Sequence, residues 1–356
     1  MMAAKVYDDR WEVVQDRPLG EGGQAQTFLV RDLRSDADTL FALKRLKNVD
    51  RIDRFEQEVK AVQSLNHPNV LSVVEASLHT DGKKTKPYLV SEYCSGGSLA
   101  GGDSSRWADD PVRTLELFAE ICDGVAAAHL RKAGPIVHRD IKPENVLLRT
   151  PNGPPVVGDF GIAYVEGGEL ERMTETQEAA GARLYIAPEL EDGRADQVQP
   201  RSDVYSLGKL LYWMLSGGRI FAREQHRTPK WNLLDRFDDN RYEHVNRLLD
   251  EMITHDSEDR FRDASLAAAA VRDVANLFKI GALALGPGLK QSCDFCKQGT
   301  YVDVPVSHGV DHRNFFGVAR LSGAMWRVLV CSECGNVQTF RVDLAKRRGE
   351  WWPAPA

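Results

Sequence analysis

The sequence predicts an α+β protein: a small strand-rich front, a larger helical body, and a short β module near its end. Three observations predict it. Alternating apolar runs around glycine-rich and polar turns fill roughly the first ninety positions. Apolar residues at helical spacing dominate the stretch that follows. Two C-x-x-C pairs, Cys293/Cys296 and Cys331/Cys334, then come after GALALGPGLKQ, a Gly/Pro-containing linker.

Each element follows from its residues. WEVVQDRPLGEGGQAQTFLVRD reads as two alternating runs around a glycine-rich turn, and TLFALKRL as another strand. DRFEQEVKAVQSLN puts Phe55, Val59, Val62 and Leu65 at helical spacing and ends before His67 and Pro68. LSVVEASLHT and KPYLVSEYC give two more strands. PVRTLELFAEICDGVAAAHLRKAG is a long amphipathic helix, and SDVYSLGKLLYWMLSG and HVNRLLDEMI are helical as well. TYVDVPV, WRVLV and VQTFRVD give the terminal module its strand character. No internal repeat of about 20–50 residues is present.

The 356 residues suffice for about two domains of roughly 100–200 residues each. With 42% apolar and 28% charged residues, the chain has a globular balance rather than a disordered or fibrous one. The net charge of −6 gives no overall pull toward nucleic acid. It is unevenly spread: from Lys290 onward nine Lys/Arg face six Asp/Glu, net +3, which leaves −9 before. ASLAAAAV and GALALGPGL fall well short of the roughly 20 apolar residues that span a bilayer. MMAAKVYDDRWEVV carries charge where a signal peptide needs apolar residues. These features predict a soluble, cytoplasmic protein without membrane contact.

The front half carries a concentrated chemistry. In GEGGQAQTF, Gly20 and Gly22 let backbone N–H groups approach an anion. Lys44, on a strand, can reach phosphate oxygens, and Glu58, on the next helix, can pair with it. IVHRDIKPENVLL crowds ionisable groups into one loop: Asp140, Lys142 two residues on, and Asn145, a neutral oxygen donor suited to magnesium. VVGDFG adds Asp159. Cys94 and Cys122 stand alone and read as small buried hydrophobes.

In order, GEGGQAQTF, FALK, HRDIKPEN, DFG and APE resemble the signature set of the eukaryotic-type serine/threonine protein kinases, and SDVYSLG and EDRF extend the resemblance to about position 262. The resemblance implies a bilobal kinase fold over 10–282, with an N-lobe of about 10–93 and a C-lobe of about 96–282, then a linker at 283–290. It implies ATP and Mg2+ as cofactors and Ser/Thr hydroxyls of protein substrates as acceptors. By resemblance Gly20, Gly22 and Gly23 cover the nucleotide and Lys44, paired to Glu58, binds its α/β-phosphates. Asn145 and Asp159 hold magnesium, Asp140 orients the substrate hydroxyl and takes its proton, and Lys142 steadies the transferring phosphate. The backbone around Glu92 and Cys94 reads the adenine edge, with Ser91 guarding the rear of the pocket. Three positions depart from the family pattern: Ala25 for the third glycine, Thr27 for the following valine, and Ala182 for the usual threonine. Arg139 is the family position that receives an activation-segment phosphate, here expected at Thr174 or Thr176.

The two C-x-x-C pairs, 34 residues apart, have the spacing of a structural zinc site, and residues 291–349 resemble a zinc ribbon. Cys293, Cys296, Cys331 and Cys334 are the expected Zn2+ ligands; a redox pair or unrelated cysteines are the alternatives. His308 and His312 read as surface residues. Arg341, Lys346, Arg347 and Arg348 form a basic cluster that reads as a solvated face, so nucleic acid is not the expected partner. Three functions compete: an active kinase whose module recruits a protein partner or restrains the enzyme, a nucleotide-binding scaffold without transfer, and a nucleic-acid-binding regulator. Retention of Lys44, Asp140, Asn145 and Asp159 favours the first, and a flexible linker favours recruitment.

Overall fold

The computed structural model describes residues 5–21, 25–48, 52–78, 86–160, 181, 183–193, 198–279, 281, 292–293, 295–304 and 326–341. The chain divides into two compact units, Met1–Glu224 with Glu251–Val271, and Gln225–Asp250 with Arg272–Ala356.

The first unit opens with an antiparallel sheet of β1 (Val6–Tyr7), β2 (Trp11–Val13), β3 (Gly20–Glu21), β4 (Ala25–Asp32), β5 (Leu40–Leu46), β6 (Val73–Ser77) and β7 (Tyr88–Glu92). Their order is β1-β2-β4-β5-β7-β6, with β3 also paired to β4. The two-residue β1 is too short to leave a period-two signal. It forms because Asp8 and Asp9 both take left-handed φ values, 48° and 52°, and turn the chain back onto Trp11.

Alternation along the strands decides which face each side chain meets. Leu43 and Val90, opposite each other in register, join Tyr7, Trp11, Phe28 and Tyr88 in one buried cluster. Lys44 opposes Leu89 on the other face, where Leu46 and Leu89 pack with Phe55 and Val59 of α1 (Ile52–Gln63). The helical spacing of Phe55, Val59 and Val62 thus does what it predicts: all three are buried.

The helical part of this unit holds α2 (Arg106–Asp109), α3 (Pro111–His129), α4 (Pro188–Glu191) and α5 (Pro200–Leu215), plus the hairpin β8 (Val146–Leu148) and β9 (Pro155–Val157). Helix α3 starts where Pro111 supplies a preset φ at its first position and the Asp110 side chain accepts from the Arg113 N–H. Helix α5 starts with a capping box between Gln199 and Ser202, and all of Ser202–Leu215 is buried. The expected order, strands first and helices after, is what the unit contains.

In the second unit, α6 (Leu233–Phe237) is capped by the Asn232 side chain on the Leu234 N–H. The helix α7 (Tyr242–Met252), which lies in this unit as far as Asp250, buries Val245, Leu248 and Leu249. From α8 (Ala264–Lys279), which lies in this unit from Arg272 onward, Phe278 meets Tyr242 edge-on with centroids 5.3 Å apart. Strands β10 (Tyr301–Val304), β11 (Trp326–Cys331) and β12 (Val337–Arg341) form a separate antiparallel sheet in that order. Among the described residues, no helix is long and apolar enough to cross a membrane.

Candidate active site and cysteine cluster

The loop between α3 and β8 carries the densest chemistry. Lys142 Nζ donates to both oxygens of Asp140, at 2.9 and 2.7 Å. Asn145 Nδ2 donates to Asp140 Oδ2 at 2.8 Å and to its main-chain oxygen at 2.7 Å. With the amide nitrogen committed to Asp140, the Asn145 oxygen is the atom left for a hard cation. From across the cleft, Lys44 Nζ donates to Asp159 Oδ1 at 2.8 Å. The cleft disfavours charge on Asp159, but the Lys44 ammonium outweighs this and holds its carboxyl below the ordinary range. About half of that side chain is exposed, as an entering cation requires. Five predicted residues, Lys44, Asp140, Lys142, Asn145 and Asp159, therefore lie in two bonded sets, Lys44–Asp159 and Asp140–Lys142–Asn145.

Two backbone positions, one in these sets and one beside Asp140, are strained. Arg139 and Asp159 have φ values of 68° and 53°, a region non-glycine residues rarely enter. Three buried groups hold them, and only the structure reveals them. Asp203 on α5 accepts from the N–H of His138 (2.7 Å) and of Arg139 (2.8 Å), and bonds His129 Nε2 at 2.9 Å. His138 in turn bonds the Gly158 carbonyl at 2.9 Å and packs its ring 4.5 Å from that of Phe160. The carboxylate of Asp203 thus sets the backbone that presents Asp140, and His138 sets the backbone that presents Asp159. An acid inside the apolar run SDVYSLGKLLYWML is the one trace of this role in the sequence.

Burial opposes the charge on Asp203, but the His129 bond and the two N–H donors outweigh it, so its carboxyl titrates below its ordinary 3.8. A lowered folded-state value means stability present above the unfolded carboxylate range and lost as pH falls through the folded value. Asp203→Asn keeps the shape but leaves donors badly matched. We expect it to cost about 3–5 kcal/mol, read as a fall in Tm on the order of 10 °C. A Tm within 2 °C or so of wild type would contradict this role.

The other predicted nucleotide contacts divide. Gly20 lies in β3, paired with Thr27, while Gly22 and Gly23 are outside the described residues. Glu58 lies on α1, but its side chain is outside them too, as are Ala182, Thr174 and Thr176. Glu92 ends β7, and Cys94 follows it, buried, its thiol pushed up to about 12 by desolvation and then by the nearby Glu92 carboxylate. Ser91 is buried opposite Ala42, so two small side chains face each other two positions from Lys44.

In the second unit the four cysteine sulfurs all lie within 4.8 Å of one another. Cys293 and Cys334, and likewise Cys296 and Cys331, are 3.7 Å apart. A disulfide needs about 2.05 Å, whereas four thiolates at about 2.3 Å from one zinc stand about 3.8 Å apart. The set fits a tetrahedral metal. Each pair forms a knuckle: Lys297 N–H donates to Cys293 O at 3.0 Å, and Gly335 N–H to Cys331 O at 3.1 Å. Gly335 has φ 68°, the backbone the sequence suggested it provides. Gly299 is equally constrained, since a Cβ there would sit 2.3 Å from Cys331 Sγ. Its N–H donates to Cys296 Sγ at 3.2 Å. Burial works against ionising Cys293, but N–H groups of the knuckle and the Tyr301 hydroxyl bring its thiol down to about 6. Predicted linker residues 283–290, His308, His312, Lys346, Arg347, Arg348 and the Arg341 side chain lie outside the described residues.

Comparison with known proteins agrees with this geometry. The family model for the protein kinase domain matches residues 13–271. The chain is similar to the serine/threonine-protein kinase PknB of Mycobacterium tuberculosis, 33% identical over 217 residues, which are 60% of this chain and 33% of that protein. It is also similar to a probable serine/threonine-protein kinase of Streptomyces coelicolor (38% over 203 residues; 56% of this chain, 29% of that one). A third is serine/threonine-protein kinase pkn3 of Myxococcus xanthus (31% over 207 residues; 56% and 36%). The chain spans about a third of the length of these relatives. With residues 13–271, most of its length, matched by the model for the protein kinase domain, the chain belongs to the protein kinase domain family.

Proposed function

We propose that this chain is an ATP-dependent protein serine/threonine kinase, acting on hydroxyls of cytoplasmic protein substrates. The observation that carries the reading is the presence of the two bonded sets, Lys44–Asp159 and Asp140–Lys142–Asn145. Phosphoryl transfer needs positioning and charge neutralisation more than covalent chemistry, and these residues supply both. Asp140, steadied by Lys142 and Asn145, accepts the proton of the attacking hydroxyl. Lys44 binds α/β-phosphate oxygens when Asp159 turns to a cation. Asp159 and Asn145 would hold Mg2+, which would neutralise charge between the phosphates. The kinase domain is assigned to 10–282 and a zinc-holding module to 291–349. Transfer of radiolabelled phosphate from ATP to Ser or Thr by the purified chain tests the reading, and a chain that binds MgATP but transfers nothing would make it a scaffold.

Arg139 supports a second feature of the same reading. Among the described residues its Nε and Nη1 are buried without a hydrogen-bond partner, and burial pulls its pKa down. A phosphate of about −1.5 to −2 charge would satisfy both atoms. We expect autophosphorylation at Thr174 or Thr176, found by mass spectrometry, and weakened activity in Arg139→Gln after phosphorylation. Absence of phosphate between Gly161 and Ala187 in active protein would remove the idea. The four-cysteine module is assigned to recruitment of a protein partner, since its linker suits tethering better than fixed inhibition.

A further inference from the structure

One residue outside the motif set holds the segment 92–95 from both ends. Arg149 follows β8. Its side chain donates from Nε to Glu92 Oε2 at 2.7 Å, from Nη2 to Glu92 Oε1 at 3.1 Å, and from Nη1 to the Pro68 carbonyl at 2.6 Å. Its own carbonyl accepts from the Ser95 N–H at 3.0 Å and the Ser95 hydroxyl at 3.2 Å. Glu92 is gripped on its other side, where its carboxylate accepts from the Ser72 N–H at 2.9 Å and its N–H donates to Ser72 O at 3.0 Å. The next residue continues the attachment: Gly96 N–H donates to Leu148 O at 3.0 Å.

This segment leads from the end of β7 toward α2 and α3, and its backbone groups are the adenine contacts that the resemblance implies. Arg149 ties its first residue, its last residue and the α1–β6 loop to the β8–β9 hairpin. The fork is a two-point, charge-assisted pair that a lysine cannot reproduce. It also leaves a mark on both partners: burial opposes charge on Glu92, yet Arg149 holds its carboxyl low, and Arg149 is raised in return.

We propose that Arg149 is a positioning residue for nucleotide binding: its fork on Glu92 and Pro68 pre-orders the 92–95 backbone that meets the base of a purine nucleotide. Ordering that is present before binding is not charged against the ligand, so affinity is gained without a new contact. The inference rests on the kinase reading for its ligand, but affinity is read without turnover.

The test uses the full chain and a direct measurement of MgATP dissociation, with Mg-tripolyphosphate as a probe lacking the base. We expect Arg149→Met to weaken MgATP about 5–20-fold while tripolyphosphate binding changes less than about twofold. Arg149→Lys should recover only part of the loss. Glu92→Gln keeps the side-chain shape, and the double variant Glu92→Gln/Arg149→Met should lose no more than about the larger single effect, the non-additivity expected of a shared contact. In steady state the loss in Arg149→Met should appear in KM for ATP rather than in kcat. Full additivity, equal losses for ATP and tripolyphosphate, or MgATP affinity within twofold of wild type in Arg149→Met would each overturn the proposal. A wild-type chain that binds MgATP yet transfers no phosphate would sink the kinase reading alone, whereas one that does not bind MgATP would sink both.

Discussion

Asp140→Asn should lower kcat for phosphoryl transfer roughly 10²–10⁴-fold, the range contributed by a positioned general base. Asparagine keeps the size of the side chain, and Asn145 and Lys142 still have an oxygen to meet. What disappears is the acceptor for the hydroxyl proton. Because Lys142 donates to both carboxylate oxygens, the substitution also frees one of its two bonds, so some of the loss will come from Lys142 itself. MgATP affinity should stay within a few-fold, which separates lost chemistry from lost folding. Lys44→Met should act differently. It removes the cation that meets Asp159 and, on the proposed reading, the phosphates, an electrostatic loss of about 10²–10³, and should weaken nucleotide binding as well. Radiolabelled phosphate transfer decides both. Unchanged transfer by Asp140→Asn would remove Asp140 from the catalytic role.

How much of this was legible beforehand depends on the kind of signal. Lys44, Asp140, Lys142, Asn145 and Asp159 were readable because each lies in a short motif whose spacing is local. Which face Lys44 takes came from the structure, where Leu43 is buried opposite Val90 and Lys44 opposes Leu89. Asp203 was not readable as a site residue. Its partners, His129, His138 and Arg139, lie more than sixty positions away, and only folding brings them together. Arg149 was hidden for the same reason: an arginine after a short strand looks like an ordinary surface cation until Glu92 and Pro68 are seen beside it. β1 was missed because two residues carry no period. Long-range polar contacts, unlike periodicity, leave little trace in composition.

The cysteine module should gain its fold from metal. Among its described residues the buried cluster consists of Cys293, Tyr301, Leu329 and Cys331, with Cys296 packed against it. Its large side chains there are two, Tyr301 and Leu329, too few for a core that could hold a small module by itself. Structural zinc supplies an apparent binding free energy of about 10–16 kcal/mol in small finger peptides, a source of stability that this apolar cluster lacks. All four sulfurs lie within 4.8 Å of one another, two pairs at 3.7 Å, and the Gly299 N–H donates to Cys296 Sγ. We therefore expect one zinc per chain in reduced, purified protein. Cys331→Ser, or removal of metal by a chelator, should expose residues beyond about 290 to protease and to fast amide exchange, while MgATP binding persists. Gly299→Ala should do the same more mildly, because its new methyl would enter the space of Cys331 Sγ. Purified protein without zinc, or a Cys331→Ser chain as protected beyond 290 as wild type, would return the four cysteines to a merely packed cluster.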